Sequence, residues 1–536
     1  MFVGGYMSDT EFLIRGKKEI ELGKVYLVEE PGDPVKDSRN PVFPLDNKAN
    51  YIYYSKGGGF IEPELAIDSI LTNPIHYGAG GFEGVRVYYS KFGTVFPELE
   101  NNNIRLMHST LAFDNLIQQT ILSELKKDDV SDVQVTRITP RELYEIGSRC
   151  HKNSEKAQLP AIRITKNDGT VEEREIPLRM RAMHEAELKD YTMAEMDTIM
   201  KVLAYANKLV SEDYFPEGLE MVNSGYFRPT FWVSGEEGLK VPTGGKPMYY
   251  AVATLPWGTY LNEKDYEKGL DVVYAPYPRI DKDMPTDKKI AGNYVNSAIN
   301  VNLGAQLGYG EILAFKNGRI VEGSAENLFV IHEKENGSYR VFTPPVGDGP
   351  LPGTTRDRVI RVLESMPDVE LIYESPDKET LESACAVFFT GTGAQIIHMR
   401  SVTEDESLAD LAKASRLLSE DGNEKELTIK KPKKRTVMIN DGKKHPIINQ
   451  IQKRYEKMIL TPQLVRPVYD IDYQVLGNLL GLELKDFTTG EERGIYRGGE
   501  LRKYTDYLKD VQRKTKITAR VVHKAFKKSG LMRQAV

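Results

Sequence analysis

Between residues 311 and 332, the sequence EILAFKNGRIVEGSAENLFVIH sets two apolar runs on either side of Asn317-Gly318. Asn and Gly tolerate the positive φ that both central positions of a type I′ turn require, and the twist of that turn matches the twist of paired strands. The segment therefore predicts a β-hairpin with Glu322 on its second strand. Upstream, Val295, Ile299, Leu303 and Leu307 recur every four residues, which predicts a helix from Tyr294 with Asn293 as N-cap and Lys289 just before its start. Downstream, YRVFTPP reads as a strand, and the turn VGDGPLPG then delivers Thr354-Thr355 to a helix with Val359, Ile360 and Leu363 on its apolar face. Gly353 before paired hydroxyls at a helix N-terminus suits an anion, because free N–H groups and the helix dipole both favour a phosphate. ACAVFFTGTGAQI repeats the pattern, an apolar strand ending in Gly391-Thr392-Gly393, where small residues let a ligand approach the backbone.

The 536 residues exceed a single small domain, since about 150 residues per folding unit suggests three to four units. Residues 1–50 are polar and broken by Gly and Pro, and read as an extension. From Tyr51, short β-rich stretches (YIYY, GVRVYYS) alternate with helical ones. A helix is expected from about Asn103 to Lys126, capped by its Asn run, with Ile104, Met107 and Leu111 inward and Arg105 at the stripe's edge. Helical stretches are expected around Glu142–Cys150 and Met196–Val210, and Asp168-Gly169 predicts a further hairpin. The Gly- and Pro-rich residues 236–247 are taken as the interdomain loop. The expected organisation is a small α+β domain over 51–235 with an insertion near 130–215, a larger domain over 248–460, and a basic extension over 461–536.

Composition removes several function classes. Seventy-two Lys plus Arg against 78 Asp plus Glu give a net charge of −6, so the molecule as a whole is not built to bind nucleic acid. Residues 501–536 do hold eleven Lys or Arg against two Asp, and KKPKKR lies at 430–435, but without interleaved aromatics these read as solvated faces. Two cysteines, Cys150 and Cys385, cannot make a disulfide framework. With no basic and apolar leader and no run of about 18 apolar residues, a soluble cytoplasmic protein without membrane contact is expected. TGGKP lacks the spacing of a P-loop, and G-x-G-x-x-G after a strand, H-E-x-x-H and G-x-S-x-G do not occur. The eight histidines show no ligand spacing, so no metal is expected.

Eight motifs in order carry the reading further: HYGAGGFEGVRVY (76–88), NIRLMH (103–108), SGYFRP (224–229), PWGTYL (256–261), KIAGNY (289–294), VEGSAENLF (321–329), TPPVGDGPLPGTTRD (343–357) and TGTGAQI (390–396). Over residues 51–460 the chain resembles the class IV pyridoxal-phosphate aminotransferases, most closely the branched-chain amino acid aminotransferases. The resemblance implies an α/β (α+β) fold-type IV architecture of two domains, the larger built on a mixed sheet or pseudo-barrel, with pyridoxal 5'-phosphate between them.

It also implies roles. Lys289 matches the family's Schiff-base lysine and general base. Glu322 would pair with the pyridine nitrogen and keep the ring an electron sink. Arg105, Thr355 and Thr392 match phosphate contacts, with Thr354 adding a backbone N–H. Tyr294 would bond the cofactor's phenolic oxygen, and Asn327 belongs to the same cofactor set. Phe82, Tyr226, Arg228 and Tyr260 match the substrate pocket, where Gly393 and Ala394 offer N–H groups to a carboxylate; an apolar pocket with one reachable arginine would take both an aliphatic side chain and glutamate. The implied reaction converts Leu, Ile or Val to its 2-oxo acid and returns the amino group to 2-oxoglutarate, giving glutamate, in a homodimer or higher homo-oligomer. Y-x-R-P favours this subgroup over the D-amino-acid aminotransferases and aminodeoxychorismate lyases of the same fold. Retention of Lys289, Glu322 and Arg105 argues against an inactive fold reused for regulation or nucleic-acid binding.

Overall fold

The structure, a computed structural model, describes residues 12–14, 18–20, 52–55, 59–61, 72–90, 93–153, 157–184, 187–214, 224–234, 240–256, 263–279, 284–414 and 433–460. Tyr260, the 461–536 extension and most of residues 1–50 lie outside this set.

A ribbon of β1 (Phe12–Ile14) and β2 (Lys18–Ile20) precedes the main body. Next come β3 (Ile52–Tyr54), β4 (Gly59–Ile61), α1 (Asn73–Tyr77), β5 (Gly80–Phe82), β6 (Val85–Ser90), β7 (Gly93–Val95) and α2 (Leu99–Asp114). The expected helix over 103–126 is two helices, because Asn115 adopts φ 53° and turns the chain into α3 (Leu116–Leu125). A short polar side chain tolerates this left-handed conformation, and it ends α2 there. The chain continues through β8 (Val130–Val135), α4 (Pro140–Asn153), β9 (Ala157–Lys166), β10 (Val171–Leu178), β11 (Met180–His184), β12 (Glu187–Tyr191), α5 (Met193–Tyr214), β13 (Ser224–Val233) and β14 (Met248–Pro256). Two capping boxes fix helix starts. Thr139 and Glu142 exchange hydrogen bonds at α4 (Thr139 N to Glu142 Oε2 2.6 Å, Glu142 N to Thr139 Oγ1 3.3 Å), and Thr192 and Glu195 do so at α5.

The first large sheet runs β4-β3-β14-β13-β6-β7, with β5 also paired to β13. Its long β13 alternates: Phe227, Phe231 and Val233 are buried in a core with Ile104 and Met107 of α2 and Met196 and Ile199 of α5, whereas Tyr226, Arg228 and Thr230 point to the other face. Each such fully buried Phe contributes about 1.5–3 kcal/mol. Because β13 and β14 pair from Gly225↔Pro256 to Val233↔Met248, residues 236–247 join two neighbours within one sheet. They are not the interdomain loop; the Gly and Pro there make a hairpin connection, and the chain passes to the second sheet after Pro256. Between α2 and α5, β8, β9 and β10 form a separate antiparallel sheet with a small core of Ile162, Ile164 and Ile176. Its β9–β10 turn places Gly169 at φ 84°, as the Asp-Gly signal requires.

The second large sheet is built from α6 (Glu263–Lys268), β15 (Leu270–Tyr274), α7 (Val295–Gln306), β16 (Glu311–Lys316), β17 (Arg319–Glu322), β18 (Asn327–Glu333), β19 (Tyr339–Phe342), α8 (Thr354–Glu364), β20 (Val369–Ile372), α9 (Lys378–Glu382), β21 (Ala386–Gly391), β22 (Gln395–Asp405), α10 (Glu406–Ala414), β23 (Lys434–Met438) and α11 (Pro446–Leu460). Its order is β17-β16-β15-β22-β21-β18-β19-β20, with β23 on β22. Parallel pairs at β15–β16, β15–β22 and β19–β20 sit among antiparallel ones, so the fold is mixed α/β. Asn317 (φ 49°) and Gly318 (φ 76°) make the expected turn between β16 and β17. The helix after Lys289 begins with a 3₁₀ turn, Ala291–Tyr294. Asn293 does not cap it; its Nδ2 donates to the carbonyls of Pro285 and Lys288, pinning the preceding loop instead. Val295 and Ile299 are exposed, because a four-residue repeat drifts around a helix of 3.6 residues per turn. Among the described residues, no helix is long and apolar enough to cross a membrane.

Candidate active site

The two sheets meet where Phe82 N donates to Lys289 O (3.1 Å) and Gly81 bridges Ile290. This seam exists because Gly81 has no side chain: a Cβ there would lie 2.7 Å from the Lys289 carbonyl. α2 clamps the same point, since Ser109 Oγ accepts from Lys289 N (2.9 Å) while donating to Arg105 O (2.9 Å). The half-buried Lys289 Nζ donates to Tyr294 Oη at 2.7 Å and lies 5.0 Å from the ring centres of both Tyr294 and Phe82. Arg228 stacks on the same Phe82 ring (4.8 Å) and on Tyr226 (5.2 Å), and donates to Tyr226 Oη at 3.1 Å. Phe82 thus shares one face of chemistry with Lys289, Tyr294, Arg228 and Tyr226.

Glu322 lies behind this group, 3 % exposed. Its Oε1 accepts from Arg279 Nε, and its Oε2 accepts from Leu351 N (3.1 Å) and Asn327 Nδ2 (3.4 Å). Burial pushes its carboxyl above the ordinary carboxylate range, against the pull of the Arg279 charge, these hydrogen bonds and the more distant Lys289. Arg279 also donates to Asn293 O (3.3 Å) and sits beneath the Tyr294 ring, so it fastens the base of the site. Sequence reasoning missed it, because it stands in the irregular stretch APYPRID; its only signal was a lone arginine between apolar runs.

The turn before α8 is held from both sheets. Asn327 Nδ2 donates to Leu351 O (2.8 Å), and Arg105 donates through NH1 to Pro352 O (2.7 Å). Arg105 is itself locked by Glu83, with Nε to Oε1 at 2.6 Å and NH2 to Oε2 at 2.8 Å, both residues buried. Burial works against the Arg105 charge, but Glu83 outweighs it and its pKa is raised. Glu83, also unforeseen, stands next to Phe82 and accepts from Asn102 Nδ2 (2.9 Å) as well. Thr354 and Thr355 are buried at the helix start. The Thr355 hydroxyl bonds to Tyr455 of α11, whereas Thr354 Oγ1 has no partner among the described residues. Thr392, Gly393 and Ala394 lie in the β21–β22 turn, tied to the rest through the pairing of Thr390 with Asn327. The structure thus gathers Phe82, Arg105, Tyr226, Arg228, Lys289, Tyr294, Glu322, Asn327, Thr354 and Thr355 around one seam. Beside it, Lys288 contacts His108 Nε2 (3.2 Å) and Asp287 (3.0 Å); burial, aided by the Lys288 charge, holds the imidazole down to about 4.

The chain is similar to known proteins across this region. A protein from Escherichia coli (strain K12) named branched-chain-amino-acid aminotransferase is 36 % identical over 184 residues, 34 % of this chain and 57 % of that protein. In these first curated relatives, the match therefore spans little more than half of their length. A branched-chain-amino-acid aminotransferase from Pseudomonas aeruginosa is 27 % identical over 360 residues, 67 % of this chain and 86 % of that protein. The crystal structure of the Escherichia coli branched-chain amino acid aminotransferase superposes with a TM-score of 0.48 at 24 % identity, covering 78 % of this chain and 100 % of that one. Residues 190–402, which carry Lys289, Glu322 and both anion-suited turns, match the model of the amino-transferase class IV family.

Proposed function

We propose that the chain is a pyridoxal-phosphate-dependent aminotransferase of branched-chain L-amino acids, with 2-oxoglutarate as amino acceptor. The observation that carries this is Lys289 Nζ at 2.7 Å from Tyr294 Oη, together with a buried Glu322 that accepts from Leu351 N in the turn leading to Gly353-Thr354. The residues fit the phosphate of such a cofactor. Thr354 Oγ1 and Thr390 Oγ1 are buried polar atoms without partners among the described residues, and the first N–H groups of α8 have no intrahelical acceptor. Gly353 leaves a close approach that no Cβ could occupy, since one would stand 2.1 Å from Asn327 Oδ1.

When bound, pyridoxal phosphate supplies an electron sink for the bond broken at the substrate Cα. Thr354, Thr355, Thr392 and Arg105 would hold its phosphate, Glu322 its ring nitrogen and Tyr294 its phenolic oxygen. Lys289 Nζ would attach the cofactor and, once released by the substrate amine, take the Cα proton and return it to the neighbouring carbon. The Tyr294 hydroxyl, accepting from Nζ, orients that amine. Arg228, held over Phe82 and Tyr226, is placed to meet a carboxylate at the edge of an aromatic pocket, and the N–H groups of Gly393 and Ala394 would meet a second. The 36 % identity to a branched-chain-amino-acid aminotransferase and the Tyr226-Phe227-Arg228-Pro229 run support the aliphatic substrate class.

The test is an absorption titration of the protein with pyridoxal phosphate, followed by L-leucine and 2-oxoglutarate. A lysine-linked chromophore that L-leucine converts, with glutamate formed on adding the oxo acid, is the expected result, and Lys289→Ala should abolish both. Full turnover in that variant, or conversion by D-alanine or aminodeoxychorismate in place of L-leucine, would overturn the assignment.

A further inference from the structure

Helix α4, from the segment between Arg105 and Tyr226, reaches the turn before α8. Gly147 lets it do so: a Cβ there would stand 3.0 Å from the Ile104 side chain, so glycine allows α4 to lie directly on α2. Leu143, Tyr144 and Ile146 are buried in the contact. This docking aims the Tyr144 hydroxyl, which donates to Pro352 O at 3.0 Å. The same carbonyl accepts from Arg105 NH1 at 2.7 Å, so both of its lone pairs are engaged. At the exposed end of α4, Arg141 pairs with Glu364 of α8 (2.9 Å), a second tie to the helix whose N-terminus follows the turn. Tyr144 is 2 % exposed, and its burial, partly offset by the Arg105 charge, keeps the phenol protonated and able to donate.

We infer that Tyr144 is a positioning residue of the phosphate site, holding the Pro352–Gly353 peptide so that the start of α8 is preformed for an anion. This rests on the proposed cofactor. A peptide unit is planar, so two donors on the Pro352 carbonyl fix the plane of the bond leading into Gly353 and Thr354. Arg105 alone would leave that plane free to rock about one hydrogen bond. Tyr144 lies outside the residues 190–402 that match the family model and contributes a support from a different part of the chain. A preformed site gains affinity because less ordering is left to be done on binding.

The test compares the affinities of wild type and Tyr144→Phe for pyridoxal phosphate and for pyridoxal, which lacks the phosphate. A neutral hydrogen bond is worth about 0.5–1.5 kcal/mol, so Y144F should raise the Kd for pyridoxal phosphate about 2- to 10-fold and leave that for pyridoxal unchanged. Equal weakening of both ligands would mean a merely structural role, and an unchanged ratio no role; either overturns the inference. Arg163→Met, in the exposed pair with Glu173 on the β9–β10 hairpin, should leave the ratio as in wild type. If Y144F fails to fold, hydrogen exchange in the wild type decides. Pyridoxal phosphate, but not pyridoxal, should slow exchange at residues 353–355 and in α4 together, and protection of the turn without α4 overturns the inference. A wild type that does not prefer pyridoxal phosphate over pyridoxal sinks the cofactor reading itself.

Discussion

Removing Glu83 tests the pair on which one wall of the site depends. Glu83 is fully buried and takes two hydrogen bonds from Arg105 and one from Asn102. Glu83→Met leaves the guanidinium, 3 % exposed, with only the Pro352 carbonyl to face. Breaking one partner of a buried ion pair costs about 3–5 kcal/mol, chiefly because the survivor stays desolvated and uncompensated. Replacing both partners by methionine should cost much less, since no stranded charge remains. The chain has several cores, so global unfolding does not report one free energy; hydrogen exchange at the α2 amides, in protein freed of cofactor, does so locally. At about 1.4 kcal/mol per factor of ten, Glu83→Met should speed exchange at Ile104–Ser109 by about 10²–10⁴. The Glu83→Met/Arg105→Met double variant should recover at least about 2 kcal/mol relative to the sum of the singles. A single-variant effect below about 1 kcal/mol, or simple additivity, refutes the pairing as the support of this wall.

Two further outcomes follow from the geometry. Gly353→Ala drives a methyl into Asn327 Oδ1, so the amide must turn and its Nδ2 release Leu351 O or Glu322, and pyridoxal phosphate should bind at least about tenfold more weakly while the secondary structure seen by circular dichroism is kept. His398, buried against Gly269, has its imidazole held down to about 4, by burial first and Lys444 second. Its unfolded counterpart titrates near about 6.5, so the stability that its neutral form contributes is present above that pH and lost as pH falls from there to about 4. His398→Leu should therefore show a smaller drop in Tm between about pH 7 and pH 4.5 than wild type, and an equal drop would remove His398 as a cause of acid sensitivity.

Local signals carried much of this. Asn317-Gly318 and Asp168-Gly169 need only their own φ requirements to make a turn, and both do. Lys289, Tyr294, Glu322 and Asn327 could be named because their motifs are contiguous, and the fold brings those short runs to one seam. What sequence did not disclose is long-range. That β14 belongs beside β13 is a pairing choice that the Gly- and Pro-rich link cannot announce, since such a link serves a hairpin and a domain boundary equally well. Asn115 looked like one more polar residue on a helix face, and only its left-handed conformation splits α2 from α3. Glu83, Arg279 and Tyr144 act on partners 22, 43 and 208 residues away, and no periodicity records a partner at that distance.

The excursion between α2 and α5 leaves from Asn115 and returns past Arg179, whose carbonyl accepts from Thr110 Oγ1 (3.4 Å), so its exit and re-entry both touch the last turns of α2. Closing a chain between neighbouring anchor points costs entropy that grows only with the logarithm of the length, about 0.6 kcal/mol per doubling. The scaffold can therefore carry a module the size of a small protein for scarcely more than a short connection would cost. The neck, together with the α4 residues that reach back to α2 and to the turn before α8, is what evolution would have to keep, and the rest of the bulk is free to vary.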